Sequence, residues 1–88
     1  DFVLNTLYQV SAASIPSIFN LIGEQDAVLF RQDGCYLILN EQQWPTTKLY
    51  ALASDITFRQ LTIPNNIRLI DDLEWVTLCA TSKRVISC

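Results

Sequence analysis

Three cysteines are the residues of this sequence best suited to chemistry. They are Cys35, Cys79 and Cys88, in a chain of 88 residues without histidine. Their number and spacing fit neither a disulfide framework nor a C-x-x-C redox pair. Zinc sets that need histidine are impossible within the chain, and three thiols make a weak structural site, so we expect no metal. The usual general base for a nucleophilic cysteine is also missing, although thiol exchange and persulfide transfer do not require one.

Cys35 directly follows the step Asp33-Gly34, between two apolar runs. One interpretation is a β-hairpin whose type I′ turn falls on Asp-Gly. The other makes Asp33 the N-cap of a short helix that has Gly34 at its first position and ends before Pro45. The local pattern favours the hairpin, whereas the alternation of strand and helix patterns elsewhere in the chain favours the helix. We predict the helix.

A cysteine near the start of such a helix has its thiol pKa lowered by the helix dipole and the unpaired N–H groups. Cys35 is therefore the candidate for a persulfide carrier. The alternative is a small buried apolar residue, which is a common role of free cysteine. We favour packing, because Asp33 opposes thiolate formation and no cation or base is adjacent, Arg31 being four residues away.

The other two cysteines have weaker claims to a chemical role. Cys79 shares the apolar face of a predicted helix with Trp75 and Leu78, which indicates packing. Cys88 is the final residue of the sequence. Its thiol could take part in thiol–disulfide exchange, or it could have no chemical role. The chain has only two glycines, so it contains no phosphate-binding loop or dinucleotide fingerprint, and we expect no cofactor.

Apolar patterns predict five strands separated by helices. The first strand is expected to begin at residues 2–4, and the others lie at 27–30, 48–52, 67–70 and 84–87. The helices are expected at about 15–22, 35–44, 55–61 and from 71 onward. Asp71 and Glu74 have the spacing of a capping box, and Asp55 and Arg59 that of an i,i+4 ion pair. Apolar strands that alternate with helices are typical of a parallel sheet covered on both faces. The predicted fold is a three-layer α/β/α sandwich, with residues 1–88 as one domain.

The composition restricts the classes of partner. Net charge is −3 and the six basic residues are scattered, which argues against direct contact with nucleic acid. Charged residues make up only 17 % of the chain, so we expect more apolar surface than one small core can bury, and hence an obligate protein partner. No apolar run is long enough for a membrane span, and the first residues lack the layout of a signal peptide. We expect a cytoplasmic protein with no membrane contact.

The order of several short motifs resembles the DsrH/TusB family over nearly the whole chain. The motifs are VLNTL at 3–7, VLFRQDG at 28–34, KLYAL at 48–52 with Asp55 and Arg59 after it, and Ile70-Asp71 before the last helix. The resemblance implies a five-stranded, largely parallel sheet in an α/β/α domain like those of DsrE, DsrF and DsrH. It also implies that the segment after Asp33-Gly34 is a helix.

The same resemblance implies partners and a pathway. TusB-type subunits assemble with homologous TusC-type and TusD-type subunits as a dimer of heterotrimers, which passes sulfur toward 2-thiolation of the tRNA wobble uridine. In that scheme the TusB-type subunit carries no relay cysteine. The DsrH branch, which acts in sulfur oxidation, has a cysteine in its first helix where this chain has Ile18. The prediction is a non-catalytic, TusB-like subunit. The alternatives are a DsrEFH-like subunit in sulfur oxidation, a sulfur carrier that uses Cys35, and a flavodoxin-like interaction module unrelated to sulfur.

Overall fold

The structure, a computed structural model, describes residues 4–13, 19–39 and 44–87 of the chain. Five strands and four helices lie in these ranges. The strands are β1 Leu4–Val10, β2 Ala27–Phe30, β3 Leu49–Leu52, β4 Arg68–Ile70 and β5 Ser82–Ser87. The helices are two 3₁₀ helices, η1 Phe19–Leu21 and η2 Gln32–Leu39, and two α-helices, α1 Ala53–Phe58 and α2 Asp72–Thr81.

The five strands form a single sheet in the order β4-β3-β2-β1-β5, and all four pairings are parallel. Tyr8 of β1 lies opposite Val28 of β2, and Phe30 of β2 lies opposite Ala51 of β3. Parallel neighbours need a crossover connection, which is why a helix separates each pair of consecutive strands. The predicted α/β fold with a parallel sheet is confirmed.

Two apolar clusters show that both faces of the sheet are covered. On one face η2 and α1 pack on the sheet, through side chains that include Val10, Val28, Phe30, Cys35, Leu37, Ala51 and Ile56. On the other face α2 packs through Trp75, Leu78 and Cys79 on Leu7, Ala27, Leu29, Leu52 and Ile70. Because successive side chains of a strand point to opposite faces, β2 contributes to both clusters and all four of its residues are buried. This burial explains the unbroken apolar run AVLF.

A buried carboxylate aligns the amino ends of the central strands. Asp26 accepts hydrogen bonds from the backbone N–H of Thr6 at 3.2 Å and of Gly23 at 2.8 Å. Its own carbonyl accepts from the hydroxyl of Thr46 at 2.7 Å, and that hydroxyl accepts in turn from the N–H of Lys48 at 3.1 Å. These contacts join the amino ends of β1, β2 and β3, at the edge of the sheet opposite the carboxyl ends of the strands.

Several element boundaries differ from the predictions. Of the helix predicted at 15–22, residues 15–18 lie outside the described residues, and the described part contains the short helix η1. The predicted cap of α1 by Ser54-Asp55 is wrong, because α1 begins at Ala53 after Leu52, whose side chain makes no cap. Strand β5 begins at Ser82, directly after α2, two residues earlier than expected.

Within the described ranges, no helix has the length and apolar character needed to cross a membrane. Nor do the described residues contain three His, Cys, Asp or Glu side chains grouped so that they could hold a metal ion.

Candidate functional site around Cys35 and Arg59

The step Asp33-Gly34 lies within η2, and the strand β2 has already ended at Phe30. The N–H of Gly34 donates to the carbonyl of Arg31 at 2.8 Å, which closes the first 3₁₀ turn. Gly34 is packed against the end of β1, where a Cβ would overlap the carbonyl oxygen of Val10 and lie 2.7 Å from its carbonyl carbon. The helix interpretation is therefore confirmed and the hairpin is excluded. Asp33 is not its N-cap, because the helix already begins at Gln32.

Cys35 is 0 % exposed and lies in the apolar cluster between η2 and the sheet. Its Sγ donates a weak hydrogen bond to the carbonyl oxygen of Phe30 at 3.6 Å. The pKa of the Cys35 thiol is raised from 9.0 to about 11, mainly by burial and in smaller part by the charges of Asp55 and Asp33, while Arg59 acts in the opposite direction. The expectation of a lowered pKa at a helix start is wrong, because burial and the two carboxylates outweigh the helix dipole.

A raised thiol pKa has a consequence for stability at high pH. The unfolded chain loses the Cys35 proton near pH 9 and the folded chain near pH 11, so the unfolded state is favoured increasingly between these values. We expect ionisation of this thiol in the unfolded chain to lower the unfolding free energy by about 1.4 kcal/mol per pH unit, to a total of about 3 kcal/mol. Urea titrations between pH 8 and 11 should show that the stability advantage of wild type over Cys35→Ala shrinks as pH rises.

The matched control for this experiment is Phe58→Ala, which changes an exposed side chain that has no ionisable group. The difference in stability between wild type and Phe58→Ala should stay nearly constant over the same range of pH. A constant difference between wild type and Cys35→Ala would instead show that the thiol of Cys35 is not held neutral by the fold.

Arg59 joins the two helices that cover Cys35. Its Nη2 lies 3.1 Å from Asp33 Oδ1 in η2, and its Nη1 lies 3.5 Å from Asp55 Oδ1 in α1. The second carboxylate oxygen of Asp55 accepts from the N–H of Gln32 at 3.0 Å, where Gln32 has the left-handed φ of 49°. Two carboxylates thus surround one guanidinium, and the excess negative charge opposes a thiolate at Cys35.

Two aromatic side chains flank the same guanidinium on the surface. The Cζ of Arg59 lies 5.5 Å from the ring centroid of Phe58 and 5.9 Å from that of Tyr36, within the range of cation–π contact. Phe58 is 81 % exposed and Tyr36 is also exposed. An arginine held between exposed aromatic rings has the composition of a protein interface and presents no acid, base and nucleophile in mutual contact.

A family model described as DsrH like protein matches residues 9–85. The chain belongs to the DsrH-like family. No curated protein matches the sequence. The match covers the end of β1, the segment around Asp33-Gly34 and the pair Asp55 and Arg59, so it includes the whole cluster around Cys35. Membership in this family indicates a role connected with sulfur relay, in complexes with other sulfur-relay subunits.

The other predicted residues of this DsrH-like chain that lie in the described ranges have structural contacts. In the capping box of α2, Asp71 Oδ1 accepts from the N–H of Glu74 at 2.7 Å and Glu74 Oε1 accepts from the N–H of Asp71 at 3.1 Å, as predicted. Cys79 packs on the sheet from α2. Ile18 and Cys88 lie outside the described residues.

Two features of the DsrH-like site were missed by sequence reasoning. Asp33 and Arg59 are 26 positions apart, and only the packing of α1 beside η2 brings them together. Arg31 extends over the indole ring of Trp75, 44 positions away, with its Cζ 4.3 Å from the ring centroid. The i,i+4 spacing identified the pair Asp55 and Arg59 correctly, whereas no local signal exists for contacts between distant elements.

Proposed function

We propose that the chain is a non-catalytic, TusB-like subunit of a cytoplasmic sulfur-relay complex. Its partners are TusC-like and TusD-like homologous subunits in a dimer of heterotrimers, and the pathway is 2-thiolation of the tRNA wobble uridine. In this role the chain completes the assembly, and a partner's cysteine carries the sulfur. The proposal involves no direct contact with tRNA and no cofactor or metal of its own.

The observation that supports a non-catalytic role best is the environment of Cys35. A sulfur acceptor must present a thiolate to a donor, and reactive cysteines are partly exposed in electropositive surroundings. Cys35 is buried on the face of η2 that packs on the sheet, and its thiol has a raised pKa and two nearby carboxylates. Cys79 lies partly buried between α2 and the sheet. Neither thiol of the described residues is placed for sulfur transfer.

Exposed apolar side chains on several elements support an obligate assembly. The most exposed are Leu21, Leu39, Phe58, Leu73 and Val76. On the α2 side, Leu73 also lines a cavity of about 310 Å³ between α2 and β4, together with Tyr50, Ile70 and Thr77. Large exposed apolar residues on both outer layers are typical of a subunit that is covered by neighbours in a complex.

The experiment that tests the proposal is co-expression of the chain with its two candidate partners, followed by light scattering. We expect one species whose mass equals two copies of each subunit. A chain that remains monomeric beside both folded partners would contradict the proposal. Loss of 2-thiouridine in tRNA after deletion of the gene would support the thiolation pathway, whereas intact 2-thiouridine with impaired sulfur oxidation would favour the DsrEFH-like alternative.

The carrier hypothesis for Cys35 gives a different result from the non-catalytic role. After incubation of the folded chain with a sulfur donor, we expect intact-mass spectrometry to show no persulfide adduct on Cys35, because the thiol is buried and neutral. Digestion and peptide mapping assign any adduct, and Cys35→Ser is the control. An adduct that is present in wild type and absent from Cys35→Ser would establish Cys35 as a carrier and contradict the non-catalytic assignment.

Substitutions on the two outer layers should separate assembly from folding. We expect Phe58→Asp or Leu73→Asp to weaken assembly with the partner subunits by at least roughly tenfold, because a charge would be buried in a formerly apolar interface. The unfolding free energy of the isolated chain should change by no more than about 1 kcal/mol, since both side chains are exposed.

The matched control is Thr62→Asp, which places the same charge at an exposed polar position. Analytical ultracentrifugation of each variant with the two partners measures the effect. Wild-type assembly of both Phe58→Asp and Leu73→Asp would show that neither layer is an interface.

A further inference from the structure

Arg31 follows β2 at the carboxyl end of the sheet, on the face that α2 covers. Its guanidinium stacks on Trp75, the fourth residue of α2, with Cζ 4.3 Å from the ring centroid. Tryptophan is the strongest aromatic partner for such a cation, and the stack holds the planar guanidinium in a fixed orientation. The donor groups at its edge are therefore placed by the fold and do not move freely in solvent.

Those donor groups have no acceptor in the part of the chain that the structure describes. No carboxylate of the described residues lies within 4.0 Å of Arg31, and the other close ion pairs there use Arg59 and Arg68. The Nε of Arg31 is buried and makes no hydrogen bond. A buried donor without an acceptor is unfavourable, and a guanidinium offers five N–H groups in a planar fork. A hydrogen-bond acceptor placed beside Arg31 would therefore be bound favourably.

Gln9 adds a second donor beside the same indole ring. The Nε1 of Trp75 donates to Gln9 Oε1 at 3.2 Å. Because an indole N–H is only a donor, this contact fixes the orientation of the amide and leaves the Gln9 NH₂ group as a donor. Gln9 is 8 % exposed, and no described residue accepts a hydrogen bond from this group. Trp75 thus holds a guanidinium through its ring and an amide through its N–H.

The topology of the sheet places these donors where parallel sheets bind ligands. Gln9 is close to the carboxyl end of β1, with Leu29 of β2 on one side and Ser87 of β5 on the other. The strands follow one another outward from β1 to β4, and the chain then returns through α2 to place β5 on the opposite side of β1. Ligands of open α/β sheets bind outside the carboxyl ends of the strands where the strand order reverses in this way.

We propose that Arg31 and Gln9 form a binding site for an oxyanion, with Trp75 as the residue that positions both. The guanidinium fork and the amide NH₂ are donors only, and a planar fork suits a carboxylate or the paired oxygens of a tetrahedral anion. The oxyanion is either a free inorganic ion or a carboxylate presented by a neighbouring chain. The site is separate from the cluster of Arg59, whose guanidinium is occupied by Asp33 and Asp55.

An NMR titration of the full chain tests this site. Sodium sulfate, phosphate or acetate is added at constant ionic strength against sodium chloride, and the indole N–H signal of Trp75 is followed. We expect a saturable shift of this signal, while the signal of Trp44 stays in place. In Arg31→Gln the affinity should fall by roughly tenfold or more, because a charge-assisted contact is lost. The matched control is Arg84→Gln, an exposed position with the same change of charge, which should bind as wild type.

A second variant keeps the test valid if Arg31→Gln fails to fold. Gln9→Glu retains an acceptor for the N–H of Trp75 and supplies a permanent carboxylate beside Arg31. We expect it to melt at the same temperature as wild type or higher, and to show no response to added anions. Shifts that are linear in anion concentration, or equal in wild type and these variants, would overturn the proposal.

The three anions distinguish the sources of the oxyanion. Binding of sulfate and phosphate without acetate identifies a tetrahedral inorganic ion, and equal or tighter binding of acetate identifies the carboxylate group, which is the chemistry that a neighbouring chain would present. The titration does not depend on the proposed assembly, so failure of the chain to bind TusC-like or TusD-like subunits would leave its result unchanged.

Discussion

Gly34→Ala is expected to destabilise the fold by at least about 3 kcal/mol, a large part of the 5 to 15 kcal/mol that stabilises most domains. The new Cβ would overlap the backbone carbonyl of Val10 and lie 3.2 Å from the backbone nitrogen of Ser11. A flexible side chain could move away from such a contact, but these atoms belong to the end of a central strand. We expect the melting temperature to fall by about 15 °C or more, as measured by circular dichroism.

Gly23→Ala is the matched control, since it makes the same chemical change at the only other glycine of the chain. There the nearest atom to a new Cβ is Asp26 Oδ2 at 3.6 Å, an ordinary van der Waals distance. Because Gly23 has no positive φ, we expect a change within about 1 kcal/mol, with stabilisation the more favourable direction. Equal melting temperatures for the two variants would mean that the close approach at Gly34 is not a constraint.

Phe30→Ala is expected to cost about 3 to 5 kcal/mol, because it removes a large side chain from the centre of the core. Phe30 is fully buried, and its ring meets that of Trp44 edge to face, with centroids 5.1 Å apart. The substitution would leave a cavity beneath η2, next to the thiol of Cys35, whose hydrogen-bond acceptor is the Phe30 carbonyl. Urea denaturation should therefore show a much lower midpoint, or no cooperative transition.

The matched control for this variant is Phe58→Ala, the same substitution at an exposed position. Loss of the Phe58 ring removes a solvent-exposed contact with Arg59, so we expect an effect of no more than about 1 kcal/mol. In the assembled complex Phe58→Ala should have a larger effect than in the isolated chain, because a neighbouring subunit would then bury the Phe58 ring. Comparable losses for Phe30→Ala and Phe58→Ala in the isolated chain would contradict the described packing.

The burial pattern explains how far the fold could be predicted. Each of the predicted strands at 27–30, 48–52 and 67–70 overlaps the observed strand, because an apolar run between polar loops has few alternatives in a sheet covered on both faces. The capping box of Asp71 and Glu74 was equally predictable, since its contacts are within four residues. The start of α1 was not predictable. The carboxylate of Asp55 accepts a hydrogen bond from the N–H of Gln32, which is close to it only in the folded chain.

The candidate site shows the limit of local reasoning more clearly. The position of Cys35 near a helix start was predicted, but the sign of its pKa shift was wrong. The position of a residue in a helix depends on its neighbours in sequence. The burial of Cys35 against the sheet and its proximity to Asp55 and Arg59 depend on elements that are remote in sequence. The same reasoning applies to Arg31, which finds Trp75 only after α2 has returned to the face of β1 and β2.

The sequence by itself determined the class of this protein. Apolar runs at strand length, helical spacing between them and the order of short motifs specify a parallel α/β fold and the DsrH-like family, because each depends on neighbours along the chain. Only the tertiary structure decided that Gly34 packs against the backbone of Val10, that the pKa of the Cys35 thiol is raised, and that Arg31 and Gln9 both contact Trp75. Those properties depend on the distance and the dielectric environment between residues that are remote in sequence.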